Sequence, residues 1–133
     1  MPWTTFIVDD EQVIADTLSA ILKHHGYSAR AFYDAKSALD ACLMATPDLV
    51  ITDVMMPGMN GVDMAIRIKA LCPSCRILLF SGQSSTAAVL EKAERDGHVF
   101  DLLLKPVHPT DLLAKLDTIA HVAQESIAES KIA

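Results

Sequence analysis

An α/β fold, a parallel sheet with helices on both faces, is predicted by three features of the sequence. Short runs that are apolar throughout, rather than alternating, mark strands covered on both sides. These runs alternate along the chain with longer stretches whose apolar residues recur at helical spacing, giving the order βαβαβαβαβα. Such alternation requires right-handed crossovers that place helices on both faces of one sheet. Finally, four of the runs end in a reactive polar group, and in open α/β sheets the carboxyl edge of the strands is where ligands bind.

The first strand, Phe6-Ile7-Val8, runs into Asp9-Asp10. The helix after it aligns Val13, Ile14, Leu18, Ile21 and Leu22 on one stripe and stops at His24-His25-Gly26, glycine being a favoured helix stop. Tyr27 to Phe32 is the second strand. Asp34 can cap the second helix, which passes Leu39, Cys42 and Leu43 and ends before Pro47. The third strand, Leu49-Val50-Ile51-Thr52, ends in Asp53; Gly61 opens a helix carrying Met64, Ile68 and Leu71 that Pro73 halts. Ile77-Leu78-Leu79-Phe80 ends in Ser81, and Ser84 or Ser85 can cap a helix through Val89 and Leu90 to Gly97. The fifth strand, Leu102-Leu103-Leu104, ends in Lys105, and the last helix runs from about Pro109 through Leu112, Leu116, Ile119, Ala123 and Ile127.

If the strands are parallel, Asp9, Asp10, Asp53, Ser81 and Lys105 meet at one sheet edge: three carboxylates, a hydroxyl and an ammonium. A chain of 133 residues is the size of one domain, without repeat, low-complexity tract or linker, so one site is expected to carry the function. Eleven Lys and Arg against 17 Asp and Glu give a net charge of −6 and no basic stripe, which argues against direct nucleic-acid binding. Mean hydropathy is high at +0.30, yet charged residues break every aliphatic run too early for a membrane span. The first run also lacks the basic flank of a signal peptide, so a cytoplasmic location is expected.

Over essentially its whole length the chain resembles the receiver domain of two-component response regulators. The resemblance rests on Asp9-Asp10 after the first strand, Asp53-Val54-Met55-Met56-Pro57-Gly58-Met59-Asn60-Gly61 after the third, Ser81-Gly82 after the fourth and Lys105-Pro106 after the fifth. Each piece alone is common; together, in order and at strand ends, they are specific. The resemblance implies a flavodoxin-like (βα)5 doubly wound sheet of strand order 2-1-3-4-5, with the receiver at residues 1–125 and residues 126–133 as a tail or the end of the last helix. It implies Asp53 as a nucleophile accepting a phosphoryl group from phosphohistidine, and Mg²⁺ held by Asp9, Asp10, Asp53 and the Met55 carbonyl. Lys105 and Ser81 would bind the phosphoryl oxygens, and a cis peptide would precede Pro106. Gly82 would leave room for the phosphoryl group, with Met55 and Gln83 flanking its approach.

The implied partners are a sensor histidine kinase or histidine phosphotransfer protein upstream and a protein target downstream, with no membrane and the chain a monomer or weak homodimer. A single-domain regulator is expected, the alternative being a receiver fragment of a larger regulator or hybrid kinase. Catalysis is expected only of its own phosphoryl transfer and dephosphorylation. One departure stands out. The aromatic residue receivers usually carry three positions before the lysine is Leu102 here, with Phe100 two residues earlier, so the hydroxyl-to-aromatic relay lacks its usual ring, and a bulge or a shifted alignment could bring Phe100 near.

Two other classes fit less well. A phosphatase of the haloacid dehalogenase type needs Asp-x-Asp after its first strand, and a flavin-binding module needs a hydroxyl-rich phosphate loop where Asp9-Asp10-Glu11 stands. Cys72-Pro73-Ser74-Cys75 is the one competing motif: a structural pair of thiols, a redox dithiol, or half a zinc site sharing an edge with His24 and His25. The methionines at 55, 56, 59 and 64 are expected to cover the loop and fill helix core.

Overall fold

A computed structural model describes the backbone of residues 3–82 and 87–132 and the side chains of residues 3–82 and 87–120. Ten elements alternate: β1 (Thr4–Val8), α1 (Gln12–His24), β2 (Ser28–Phe32), α2 (Ala35–Met44), β3 (Leu49–Asp53), α3 (Gly61–Leu71), β4 (Arg76–Ser81), α4 (Ala87–Arg95), β5 (Asp101–Leu104) and α5 (Pro109–Ile132). The five strands form one parallel sheet in the order β2-β1-β3-β4-β5. The expected doubly wound fold and strand order are therefore present.

Successive strand residues point to opposite faces, and both faces are buried. Phe6, Val8, Val50, Ile77 and Leu79 pack on one side against Ala38 and Cys42 of α2, Met64 and Ile68 of α3 and Ala93 of α4. Ile7, Leu49, Ile51, Leu78 and Phe80 pack on the other against Leu18 and Leu22 of α1 and Leu112, Leu116 and Ile119 of α5. This double burial is why the central strands read as apolar throughout.

Three stripe assignments need correction. Val13, Leu43 and Leu71 are 78%, 67% and 51% exposed, whereas Ala15 and Ser19 complete the buried face of α1 and Ala38 that of α2. Small residues face the sheet where the helices come close, and large apolar residues at the stripe margins reach solvent. Asp34 caps α2 as expected, its Oδ1 accepting from the Ser37 N–H at 2.7 Å. Gly26 adopts φ +92° after α1, a conformation that favours glycine. The Ser84 or Ser85 cap, like the side chains of Ala123 and Ile127, lies outside the described residues.

Candidate functional site

Each site residue owes its position to the end of a strand. Asp53 closes β3, every residue of which is buried, and the register pairs it with Phe80 of β4. The Val54 N–H donates to the Phe80 carbonyl at 3.1 Å, which fixes the backbone just past Asp53. On the other side Val8 pairs with Thr52, so Asp9 emerges alongside Asp53, and its N–H donates to the Phe32 carbonyl at 3.0 Å. Ser81 closes β4 opposite Leu104, and its carbonyl accepts from the Lys105 N–H at 3.0 Å. Lys105 is thus hung from the strand that carries Ser81, and its peptide to Pro106 is cis.

The side chains converge. Lys105 Nζ lies 3.1 Å from Asp53 Oδ1, a partly buried ion pair. One carboxylate oxygen from each of Asp9, Asp10 and Asp53 lies within 4.8 Å of the other two. Asp9 and Asp53 are buried while Asp10 is exposed, so the cluster opens to solvent on one side. Ser81 is buried at the neighbouring strand end.

Asp9 bears the electrostatic strain. Burial pushes its carboxyl up from 3.8 to about 6; the Glu11 N–H, donating to Oδ1 at 2.9 Å, opposes this, the charge of Asp53 adds to it, Lys105 opposes and Asp10 adds. Its other oxygen, Oδ2, is buried and accepts no hydrogen bond from the described residues. An orphaned buried carboxylate oxygen beside two further carboxylates is an all-oxygen donor set that fits a hard divalent cation such as Mg²⁺.

Two glycines bring the parts into contact. A Cβ on Gly61 would collide with the Asp53 carbonyl, so the start of α3 can seat against β3 only with glycine there. A Cβ on Gly82 would lie 2.7 Å from Lys105 Cβ. The missing side chain at Gly82 therefore makes room for the stem of Lys105. Met55 is 46% exposed and Met56 and Met64 are buried, while Gln83 lies outside the described residues.

Sequence reasoning missed Asn60, whose Oδ1 caps α3 by accepting from the Asp63 N–H at 2.8 Å. The spacing Asn60-x-x-Asp63 was the available signal, a variant of the capping box. The role of Gly61 against Asp53 had no local signal, because it depends on a contact across the chain.

Leu102 pairs with Leu79 in unbroken register, so β5 contains no bulge. Leu102 and Phe100, like Val89 and Leu90 of α4, pack on the apolar cluster that contains Ala93 of α4, and the Phe100 ring stacks at 6.4 Å on that of His98. Among the described residues no zinc-like group joins His24 and His25 to the cysteines, the metal-competent cluster being the three aspartates.

The sequence profile described as the response regulator receiver domain matches residues 5–117. A DNA-binding response regulator, MtrA of Mycolicibacterium paratuberculosis, is 31% identical over 110 residues, covering 83% of this chain and 48% of that protein. The chain spans about half the length of the curated relatives it matches. NtrX from Brucella abortus superposes with a TM-score of 0.86 at 27% identity, covering 100% of this chain and 30% of that one. The chemotaxis protein CheY4 of Vibrio cholerae gives a TM-score of 0.78 at 26% identity, covering 89% of this chain and 98% of that one.

Proposed function

From the premise that the chain belongs to the response regulator receiver domain family of two-component systems, we propose that Asp53 accepts a phosphoryl group from a phosphohistidine and that protein contacts read the change. The observation that carries this reading is the 3.1 Å Lys105–Asp53 pair set beside the three-carboxylate cluster.

In this reading an Asp53 carboxylate oxygen forms a bond to phosphorus as the P–N bond of the donor breaks, leaving an acyl phosphate and a free imidazole. The transition state is loose, so positioning and charge neutralisation do most of the work. Lys105 turns its ammonium from the carboxylate to the incoming phosphoryl oxygens, and Ser81 donates its hydroxyl to another. Asp9, Asp10, Asp53 and the Met55 carbonyl would hold Mg²⁺, which when bound supplies positive charge to the phosphoryl oxygens. An apolar groove of about 590 Å³ lined by Ile14, Leu18, Pro106 and Val107 opens beside Lys105, and it supports docking of a kinase or phosphotransfer protein there. Exposed Val99 and Leu104 at and before β5 support a protein target there.

We assign the receiver to residues 1–125, with 126–133 as a C-terminal tail or the end of the last helix, acting in the cytoplasm as a monomer or weak homodimer that turns over no separate substrate. No helix among the described residues is long and apolar enough to cross a membrane. The net charge of −6 supports signalling through proteins rather than nucleic acid. A single-domain regulator is the first reading. A receiver within a longer regulator is the second, favoured by the greater length of the relatives, and the flanking gene sequence separates them.

The test is intact-mass analysis with peptide mapping after incubation with Mg²⁺ and a small phosphodonor. One acid-labile phosphoryl group is expected on Asp53 and none there in Asp53→Ala. Modification centred on another residue would overturn the assignment.

A further inference from the structure

At the sheet edge opposite the carboxylates, three thiols share one apolar cluster. Cys42 of α2 and Cys75, just before β4, are buried in it, while Cys72, which ends α3, packs on its margin and is partly exposed. Phosphoryl transfer uses none of them.

We propose that Cys72-Pro73-Ser74-Cys75 is an oxidation site, in which Cys72 reacts with a hydroperoxide and Cys75 then closes an intramolecular disulfide. The backbone geometry carries this. The Cys75 N–H donates to the Cys72 carbonyl at 3.1 Å, so the two cysteines are the ends of a hydrogen-bonded turn. Such a turn holds its end Cα atoms within about 7 Å. A disulfide spans about 4.4–6.8 Å between Cα atoms, so the backbone is already folded for the bond. Lys69 pins the turn, its Nζ donating to the Pro73 carbonyl at 2.8 Å and to the Cys75 carbonyl at 2.9 Å. Cys42 lies in the same cluster but on α2, with no such turn to bring it to Cys72.

The two thiols are also differentiated as the chemistry needs. The Ser74 hydroxyl, 3.5 Å from Cys72 Sγ, favours the thiolate and holds the Cys72 pKa below its ordinary value. Burial pushes the Cys75 thiol up to about 12, with the neighbouring Cys72 and Cys42 adding to the rise. Cys72 is therefore the nucleophile toward oxidant and Cys75 the protected partner.

In the first step the Cys72 thiolate attacks the outer oxygen of the hydroperoxide. An S–O bond forms, the O–O bond breaks, and the leaving alkoxide takes a proton to become an alcohol, or water when the oxidant is hydrogen peroxide. In the second, Cys75 sulfur attacks the sulfenic sulfur of Cys72. The S–S bond forms, the S–O bond breaks, and the oxygen departs as water with the Cys75 proton. Two thiols lose two electrons and two protons, and the peroxide takes them up.

The experiment treats the reduced full chain with hydrogen peroxide, using glutathione as a reference thiol, and reads free thiols, intact mass and disulfide-mapped peptides. The wild type should lose two of its three thiols, become lighter by two hydrogen atoms, show a Cys72–Cys75 link and recover with dithiothreitol. Thiol loss should be at least about tenfold slower in Cys72→Ser and unchanged in Cys42→Ser. Cys75→Ser should accumulate a Cys72 sulfenic acid that dimedone traps. If Cys75→Ser fails to fold, the wild-type map decides alone. A Cys42–Cys72 link, a Cys72 sulfenic acid that persists in the wild type, or thiols untouched where glutathione is oxidised would overturn the proposal.

Discussion

Asp9 is a carboxyl group whose surroundings disfavour its own charge. Its folded pKa of about 6 lies above the ordinary 3.8, so the stability its protonated form contributes is complete below about 3.8 and is lost as pH rises through 6. Without metal, Asp9→Asn should therefore be more stable than wild type at pH 7.5 by on the order of 2–3 kcal/mol, the gap closing toward pH 4. Urea denaturation in chelator at both pH values checks this; parallel curves for the two proteins would refute it. A second expectation separates metal binding from response. Asp10→Ala should lower Mg²⁺ affinity at least about tenfold, whereas Lys105→Ala should keep it but lose the conformational response to phosphorylation. Magnesium titration followed by fluorescence or NMR distinguishes them, equal affinity in wild type and Asp10→Ala being the adverse result. The meeting of Asp9, Asp10, Asp53 and Lys105 at one sheet edge was legible in the sequence because these residues follow short apolar runs that read as parallel strands, whereas the Asp53–Lys105 ion pair itself is a finding of the structure. The burial of Val13, Leu43 and Leu71 was misread because spacing gives the period of a helix stripe but not its margins.

At the scale of elements, α3 shows what local sequence conceals. Gly61 reads as an indifferent helix start, yet its missing side chain is what lets the helix meet the Asp53 carbonyl. Gly61→Ala should lower stability by about 2 kcal/mol or more despite alanine's better helix propensity, because the obstruction is backbone that cannot swing away. A urea midpoint equal to wild type would count against that contact. β5 and α4 form the second case. Leu102 sits where a ring would swing, packed with Phe100 on the cluster that contains Ala93 of α4, and it has no planar side chain to turn inward. Beryllofluoride is accordingly expected to alter hydrogen exchange in α4 far more than in residues 101–104. Changes confined to residues 98–104, with α4 silent, would instead assign the relay to Phe100.

For the whole molecule, the alternation of strands and helices was legible because a sheet buried on both faces leaves no polar face to interrupt its strands. The strand order was not derivable from those patterns, which fix the hand of each crossover but not which strand lies beside which; it came from the family resemblance. The thiol turn was legible as a motif only, since its closure depends on Lys69 reaching back to Pro73 and Cys75. That attachment and the seat of Gly61 on Asp53 lie at opposite ends of the same helix. Inserting or deleting one residue within α3 would rotate one end against the other by about 100° and detach one anchor. Natural variation in this helix is thus expected to run freely through exposed positions such as Asp63, Arg67 and Ala70 while its length stays locked at eleven residues, a constraint on how the protein can evolve rather than on how it works.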